Sequence, residues 1–542
     1  MLSLKRLAYV LFIVFGICGI FIVYNINESS SKTVAKEKPD TEEIEWIEGQ
    51  SFSKSEEYHF YVVGSEEKEI YKDIYRNVCR LMEDMKVVWN KKDTIGEEEL
   101  ENRNAVIVFC DDVVNPYVEL PQLVQFVENG GKVILAAGVA EGYEDSYLMP
   151  VLGIVEKTIK ENYQNFHFMK PFFALQEEYM TYDGYNMSTW MNVRKDADVY
   201  VEDQQKKVPV LYAYPYGKGK TFVVNATILS DNRCMGFLTA GIGSLLEEFV
   251  YPVLGTESIY LDDFPVDSYV NDSVCMKLYG RTSEAFVRDV VWPVFQGMAV
   301  RNEVRYTASV MHAKAKDGSD LGINESFLKT IEKSVMMYNG EMTYASDCKV
   351  VRGKFQAQNQ EERMAVLEDV CVFPEATDGI DLEGGNMLAI ASVLTSHGMV
   401  SHSFNINRMV CMDEEYASWE VDKKQLRAFE KKILKETDYL QKTTLTETRN
   451  PLKSYRNLEY TWKRNGDSLE ICATKFVSPK ISSQTFFRLS TSLSSILINI
   501  TPSSVNKSLA NFNRGYIILS QSVWKRPLLS VLCTRRFPSS SV

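Results

Sequence analysis

Near-continuous apolar segments, separated by amphipathic ones, constrain this chain more than any other feature. Residues 59–63, 87–89, 105–110 and 132–139 show no alternation of polar and apolar side chains, whereas Ile70, Ile74, Val78 and Leu81 recur at helical spacing between the first two. A strand without a polar face must be covered on both sides, and a helix between strands supplies the cover. The pattern predicts an α/β fold with a parallel sheet and helices on both faces. A short helix at 123–127 is stopped by Gly130-Gly131. From about 156 to 216 the text turns aromatic and irregular, with turn signals at Asp183-Gly184 and Pro215-Tyr216-Gly217, which predicts a β-rich insertion. Residues 221–226 then read as a further sheet strand and 236–250 as an apolar helix.

A second series begins at Ser258. Residues 258–261, 304–310, 340–345, 370–373 and 399–404 read as strands, and 284–295, 327–337 and 387–396 as helices. Polar residues at the strand ends, Asp262-Asp263 and His312 among them, predict a (β/α) barrel or an open variant with its site at the carboxyl ends. Asp422 opens an amphipathic helix with Leu426, Phe429 and Ile433 on one face, and Asn465-Gly466 closes a hairpin.

The expected boundaries are a membrane anchor at 1–26, a linker at 27–56, an α/β domain at 57–255, a second at 256–475 and a terminal segment at 476–542. The first α/β domain resembles the flavodoxin-type, class I glutamine-amidotransferase-like modules of bacterial surface proteins. It carries no G-x-S-x-G, no Cys nucleophile elbow and no G-x-G-x-x-G, and so reads as a non-catalytic module.

Residues 7–24 contain no charge, follow Lys5-Arg6 and precede a polar run, so they form a stretch just long enough for the ~30 Å hydrocarbon layer. The run exceeds a usual leader core and no A-x-A site follows it, which favours an uncleaved anchor over a cleaved signal peptide. The basic pair then holds residues 1–6 in the cytoplasm and places the body outside the cell membrane as a single-pass protein.

The formal charge of −13 argues against nucleic acid as a partner, since phosphate recognition needs a basic face. Ten scattered cysteines with no C-x-x-C pair read as buried free thiols rather than a zinc ribbon or redox site. After Glu470 there is no Asp or Glu, against nine Lys or Arg. That break predicts an anomalous, poorly packed tail.

The sharpest chemical signal is Tyr260-Leu261-Asp262-Asp263-Phe264-Pro265, two carboxylates where an apolar strand breaks into a loop. At such a break both side chains can turn to one side, one to hold a metal and the other to take a proton from metal-bound water. Together with Tyr251-Pro252-Val253, Trp292-Pro293 and Tyr306-Thr307, the segment resembles a bacterial domain-of-unknown-function family related to polysaccharide deacetylases, similar to the deacetylase of Pel-type exopolysaccharide production. The resemblance implies a deacetylase-like (β/α) barrel, Asp262 as general base, Asp263 as metal ligand, and zinc or a similar divalent ion acting on an amino-sugar polymer. Residues 340–349 lack the histidine pair that the resemblance leads one to expect, which leaves His312, His397 and His402 as candidate metal ligands. His59 and His167 read as structural. Glu375, Asp378 and Glu383 form an acidic loop that either is solvated or walls the cleft, and Tyr179, Tyr182, Tyr185 and Trp190 either pack in a core or stack on sugars. The expected function is a membrane-anchored, extracytoplasmic role in cell-surface polysaccharide production or modification, deacetylase-like and catalytically degenerate. An active metal-dependent N-deacetylase and a non-enzymatic scaffold or sensor are the alternatives.

Overall fold

A computed structural model of the chain describes residues 46–48, 58–477 with gaps, and short strands at 486–491, 497–499, 516–517 and 528–533. Residues 1–45, 49–57, 311–323, 345–349, 355–364, 367–370, 411–418, a few isolated positions and the rest of the tail lie outside the described residues, and with them the apolar run at 7–24 and His312. Among the described residues no helix is long and apolar enough to cross a membrane.

The first sheet is built on strands β1 (His59–Val63), β2 (Val88–Lys92), β3 (Ala105–Phe109) and β4 (Lys132–Leu135), with helices α1 (Glu69–Met85) and α2 (Leu120–Glu128) between them. Strand β5 (Ile154–Asn162) pairs with β8 (Met187–Val193) as a separate ribbon. Strands β6 (Asn165–Phe168), β7 (Tyr179–Thr181), β9 (Asp198–Asp203), β10 (Pro209–Tyr216) and β11 (Gly219–Val224) complete the sheet in the order β2-β1-β3-β4-β11-β10-β9-β6-β7. The first five strands run parallel to their neighbours, and beyond β11 the pairing is antiparallel. The β-rich insertion is therefore largely an extension of the parallel sheet, because the Gly217–Lys218–Gly219 turn folds β10 back on β11.

Both faces of β1, β3 and β4 are buried, as their continuous apolar text requires, while the edge strand β2 is largely exposed. Phe60, Val62, Val106, Val108 and Ile134 join one hydrophobic cluster, and Tyr61, Val63, Ile107, Phe109, Val133 and Leu135 another on the opposite face. Helix α1 lays Ile74, Val78, Leu81, Met82 and Met85 onto the first. The apolar stretch at 236–250 is not one helix: α3 (Gly236–Leu245) ends and strand β12 (Glu248–Val253) follows. Propensity alone does not mark that break, since Phe249, Val250 and Tyr251 suit either state and tertiary pairing decides.

The second sheet consists of β13 (Thr256–Asp262), β14 (Tyr306–Val310), β15 (Glu341–Tyr344), β17 (Thr377–Asp378), β18 (Met399–Asn405) and β19 (Gln441–Lys442), with β16 (Cys371–Glu375) leading into β17. Its order is β15-β14-β13-β18-β17, with β19 against the start of β13, and every pairing is parallel. Helices α4 (Trp292–Asn302), α5 (Glu325–Met337), α6 (Asn386–His397), α7 (Trp419–Phe429) and α8 (Arg449–Asn457) follow in chain order. Helix α6 stops at Gly398, whose φ of +65° and contact with Val253 leave no room for a side chain. The molecule is a mixed α/β fold with parallel sheets. Ile259, Leu261, Ala308 and Val400 belong to the same cluster as Phe60 and Val62, so the two sheets share one core.

Cys79, Cys110, Cys234 and Cys275 are buried free thiols. The acid-free terminal segment, expected to pack poorly, contributes strand β20 (Phe486–Thr491), which pairs antiparallel with β12 over its whole length. Its alternation of Phe487 and Leu489 with Arg488 and Ser490 carries the strand signal that composition concealed.

Candidate functional site

Strand β13 lies centrally in the second sheet, and its carboxyl end carries the two carboxylates. Asp262 stands opposite Ser309 of β14 on one side and Asn405 of β18 on the other. Asp263 follows in the left-handed region at φ +53°, a conformation that costs an ordinary residue about 1–2 kcal/mol and that Asp tolerates better than most. Neighbours hold it there. The Asn405 amide donates to Asp263 Oδ2 at 2.6 Å while the Arg408 amide donates to Asn405 Oδ1 at 2.9 Å, and the Phe264 amide donates to the Ser309 carbonyl at 3.1 Å. Both carboxylates stay half-buried, and the Ser309 and Thr343 hydroxyls lie 3.4 Å apart beside them. On the far side of β18 the Ser403 hydroxyl donates to Glu375, and Asp378 stands opposite Ser403. This end of the sheet is thus a shelf of carboxylates, hydroxyls and one clamped amide. Such groups both accept from and donate to sugar hydroxyls.

Of the candidate metal ligands, Asp263 lies on that shelf, and His397 and His402 do not. His402 lies within β18 opposite Ile259, three residues short of Asp262. It is fully buried: Nε2 donates to the Gly379 carbonyl at 2.7 Å, Nδ1 accepts from the Thr377 hydroxyl at 2.7 Å, and the ring stacks on Phe429. Both ring nitrogens are engaged, and the carbonyl partner fixes the neutral tautomer. His397 ends α6 just before β18 begins opposite Thr256, at the amino end of β13. Six residues of strand separate the two ends, roughly 20 Å. There Nε2 donates to Asp84 Oδ2 at 3.2 Å and Nδ1 lies 2.7 Å from Ser396 Oγ. His312, two positions past the end of β14, lies outside the described residues, as does Glu383. Among the described residues no three His, Cys, Asp or Glu side chains converge as a metal site. Among the described residues the groups beside Asp262 and Asp263 are hydroxyls, carboxylates and the Asn405 amide, with no imidazole.

Burial pulls the His402 imidazole down to about 4. An unfolded histidine titrates near 6.5, so between these values the unfolded chain binds the extra proton. Stability is expected to fall as pH drops from about 6.5 to 4, by up to about 1.4 kcal/mol per pH unit, and His402→Leu is expected to flatten that slope. Denaturant titrations at a series of pH values check it; an unchanged slope in the variant contradicts the assignment.

In the first sheet the crevice beyond the carboxyl ends of β1, β3 and β4 is where open α/β sheets bind ligands. Here β5 fills it. Lys160 Nζ pairs with Asp112 at 2.5 Å and donates to the Tyr71 hydroxyl at 3.1 Å, while Lys157 Nζ donates to the carbonyls of Ala140 and Gly142, both at 2.5 Å. The sequence pattern found the strands but not this closure, because a lysine at a strand edge reads as solvated surface. Of the aromatic residues in the insertion, Tyr182 is buried, Trp190 is half-buried, and Tyr179 and Tyr185 are exposed, with Tyr179 stacked on His167 at 4.8 Å.

Residues 76–334 match the model of a family described as an uncharacterised protein conserved in bacteria (DUF2194). No curated protein matches the chain. Similar solved structures include a ThuA-like protein of Bacteroides uniformis, at 11% identity over 36% of this chain and 95% of that one with a TM-score of 0.28. Others are a β-galactosidase of Rahnella, at 12% identity, 36% and 34% of the two chains and a TM-score of 0.25, and an exo-β-1,4-mannosidase of an Opitutaceae bacterium, at 11%, 35% and 36% with 0.24. The last two alignments span about a third of those enzymes. Likenesses at this level assign no activity to this chain.

Proposed function

We propose that this is a membrane-anchored, extracytoplasmic protein that binds a cell-surface polysaccharide at the carboxyl end of the second sheet, on a deacetylase-like shelf that has lost the metal chemistry. The observation that carries the reading is Asp262-Asp263 at the end of the central parallel strand, held by Asn405, with His397 and His402 committed elsewhere. Hydrogen bonding to sugar hydroxyls needs only the oxygens and amide of that shelf, whereas hydrolysis of an acetamide through a metal-bound water needs a complete ligand set. In this reading Asp262 and Asp263 accept from the polymer, and the strained backbone at Asp263 keeps both carboxylates aimed at it.

The anchor rests on the uncharged run at 7–24 behind Lys5-Arg6. Protease added to intact protoplasts is expected to digest the body; protection of the body contradicts the topology.

Metal content after dialysis and acetate release from acetylated amino-sugar oligomers separate the functional readings. The expected result is substoichiometric zinc with no acetate release. Stoichiometric zinc with release abolished by Asp262→Asn would make the protein an active N-deacetylase, with His312 as a candidate ligand.

A further inference from the structure

Helix α7 buries an apolar stripe in which one position is a carboxyl. Trp419, Leu426 and Phe429, with Ile433 a turn further on, face the core at helical spacing, and Asp422 takes the place between Trp419 and Leu426. Trp419 meets Phe286 edge to face at 6.1 Å, and Phe429 meets Phe404 in the same way at 5.1 Å, so the stripe is aromatic on either side of Asp422. Only 4% of Asp422 is exposed, and its Oδ2 has no hydrogen-bond partner. The buried Glu257 and Glu430, by contrast, have Lys442 and Arg301. A core carboxylate without a partner is costly once ionised, and stability alone does not explain this one.

The charges of the elements packed around α7 are placed elsewhere. On helix Ser268–Tyr279, whose Tyr279 hydroxyl accepts from the Trp419 amide at 3.4 Å, Asp272 accepts from the Ser283 amide and hydroxyl at 2.7 and 2.6 Å, and Lys277 is exposed. Next along the chain Arg281 and Arg288 both pair with Asp289, and Glu284 is half-buried. His402 of β18 is committed to Thr377 and Gly379, and Arg408 on helix Ile406–Val410 is exposed. On α7 itself Lys423 lies 3.9 Å from Glu420, and Lys424 and Arg427 are exposed. Burial raises the Asp422 carboxyl to about 6, although a place in the first turn of a helix ordinarily favours the ionised form.

Helix Ile406–Val410 packs on both α7 and β13. Its Arg408 amide donates to Asn405, whose own amide holds Asp263. We propose that the first turn of α7 is a pH-operated latch on the shelf: with Asp422 protonated the turn seats on Ile406–Val410 and keeps Asn405 against Asp263, and with Asp422 ionised the turn loosens and the shelf loses order. The effect on binding rests on the polysaccharide reading; the latch itself does not. An aspartate released to solvent titrates near 3.9, so between that value and about 6 opening of the turn releases a proton. The closed turn is therefore favoured in acid, loses about tenfold in its equilibrium per pH unit across that window, and stays level above it.

Hydrogen exchange of the full chain between pH 4 and 7, corrected for the intrinsic pH dependence of amide exchange and read on peptides covering 419–429, tests it. Protection of α7 in the wild type is expected to fall about tenfold per pH unit from about 4 to 6 and then level off. Asp422→Asn is expected to show no such slope, and Asp422→Leu, which completes the apolar stripe, to stay protected throughout. Peptides of α1 are expected not to follow the slope, which separates local opening from global unfolding. Protection of α7 that is flat or rises from pH 4 to 6 in the wild type, a slope retained in Asp422→Asn, or the same slope in α1 overturns the latch. Co-sedimentation with a partly deacetylated amino-sugar polymer at pH 4.5 and 6.5 reads its effect on the shelf: the ratio of the two affinities is expected to be larger in wild type than in Asp422→Leu, and equal ratios overturn the coupling. Polymer binding by neither protein would overturn the polysaccharide reading, while the exchange result still decides the latch.

Discussion

Replacing Lys442 by alanine is expected to destabilise the folded protein by about 3–5 kcal/mol, the usual cost of leaving a buried charge without its partner. Lys442 Nζ lies 2.8 Å from Glu257 Oε2 at the start of the central strand β13, where the glutamate side chain is 0% exposed and the lysine 9%. The Thr437 hydroxyl donates to the same carboxylate at 2.5 Å. Burial keeps the Glu257 carboxyl above its ordinary value even with Lys442 in place. A carboxyl raised in the folded state favours folding at low pH, and that contribution is lost as pH rises through the folded value. The deficit of Lys442→Ala is therefore expected to narrow as pH is lowered towards 5. The double variant Glu257→Gln with Lys442→Met is expected to recover most of the loss. Thermal melts of the three proteins check both expectations; a single variant as stable as wild type at pH 8 contradicts them.

Asp84→Ala is expected to cost about 3 kcal/mol, because one carboxylate near the end of α1 ties together three helices. Arg456 of α8 donates to its Oδ1 at 2.7 Å, His397 at the end of α6 donates to its Oδ2 at 3.2 Å, and the Tyr455 hydroxyl donates to its backbone carbonyl at 2.6 Å. Burial alone would raise the Asp84 carboxyl, but Arg456 and His397 outweigh it and hold the group below its usual range. A depressed carboxylate contributes stability above its unfolded value, near 3.9, and that contribution disappears as pH falls through the folded value. Asp84→Asn is thus expected to lose its disadvantage progressively as pH falls below the unfolded value near 3.9 and through the depressed folded one. Arg456→Met is expected to be as damaging as Asp84→Ala, since it strands the carboxylate. Equal melting temperatures for wild type and Asp84→Ala at pH 7 would show that the network carries no net stability.

His397 shows what sequence reading reaches and what it misses. The residue lies in a segment whose helix and strand were legible from period and length, and the observed α6 and β18 agree with that reading to within a residue or two. Its partner is 313 positions away in α1, a contact that no local spacing announces. His402 misleads for a related reason: a histidine three residues before Asn405 reads as a strand-end ligand, but parallel register places it opposite Ile259, inside the core. Asp262 and Asp263 were legible because an apolar strand that breaks into two carboxylates is visible in one dimension. Asn405 was not, since its value comes only from lying level with Asp262 on the neighbouring strand β13. The cavity between α1 and residues 230–232 was missed altogether. Its walls meet only in three dimensions: Asn77 of α1 donates to the carbonyls of Leu229 and Ser230, 152 and 153 positions away.

Polymer co-sedimentation with wild type, Asp262→Asn and Asn405→Ala in the presence of a chelator tests whether the carboxyl end of β13 binds a polysaccharide without metal chemistry. Wild type is expected to sediment with a partly deacetylated amino-sugar polymer despite the chelator. Both variants, folded by circular dichroism, are expected to bind about tenfold more weakly, as loss of charge-assisted and clamped hydrogen bonds predicts. Binding that vanishes with chelator in the wild type, or that survives unchanged in both variants, would contradict it.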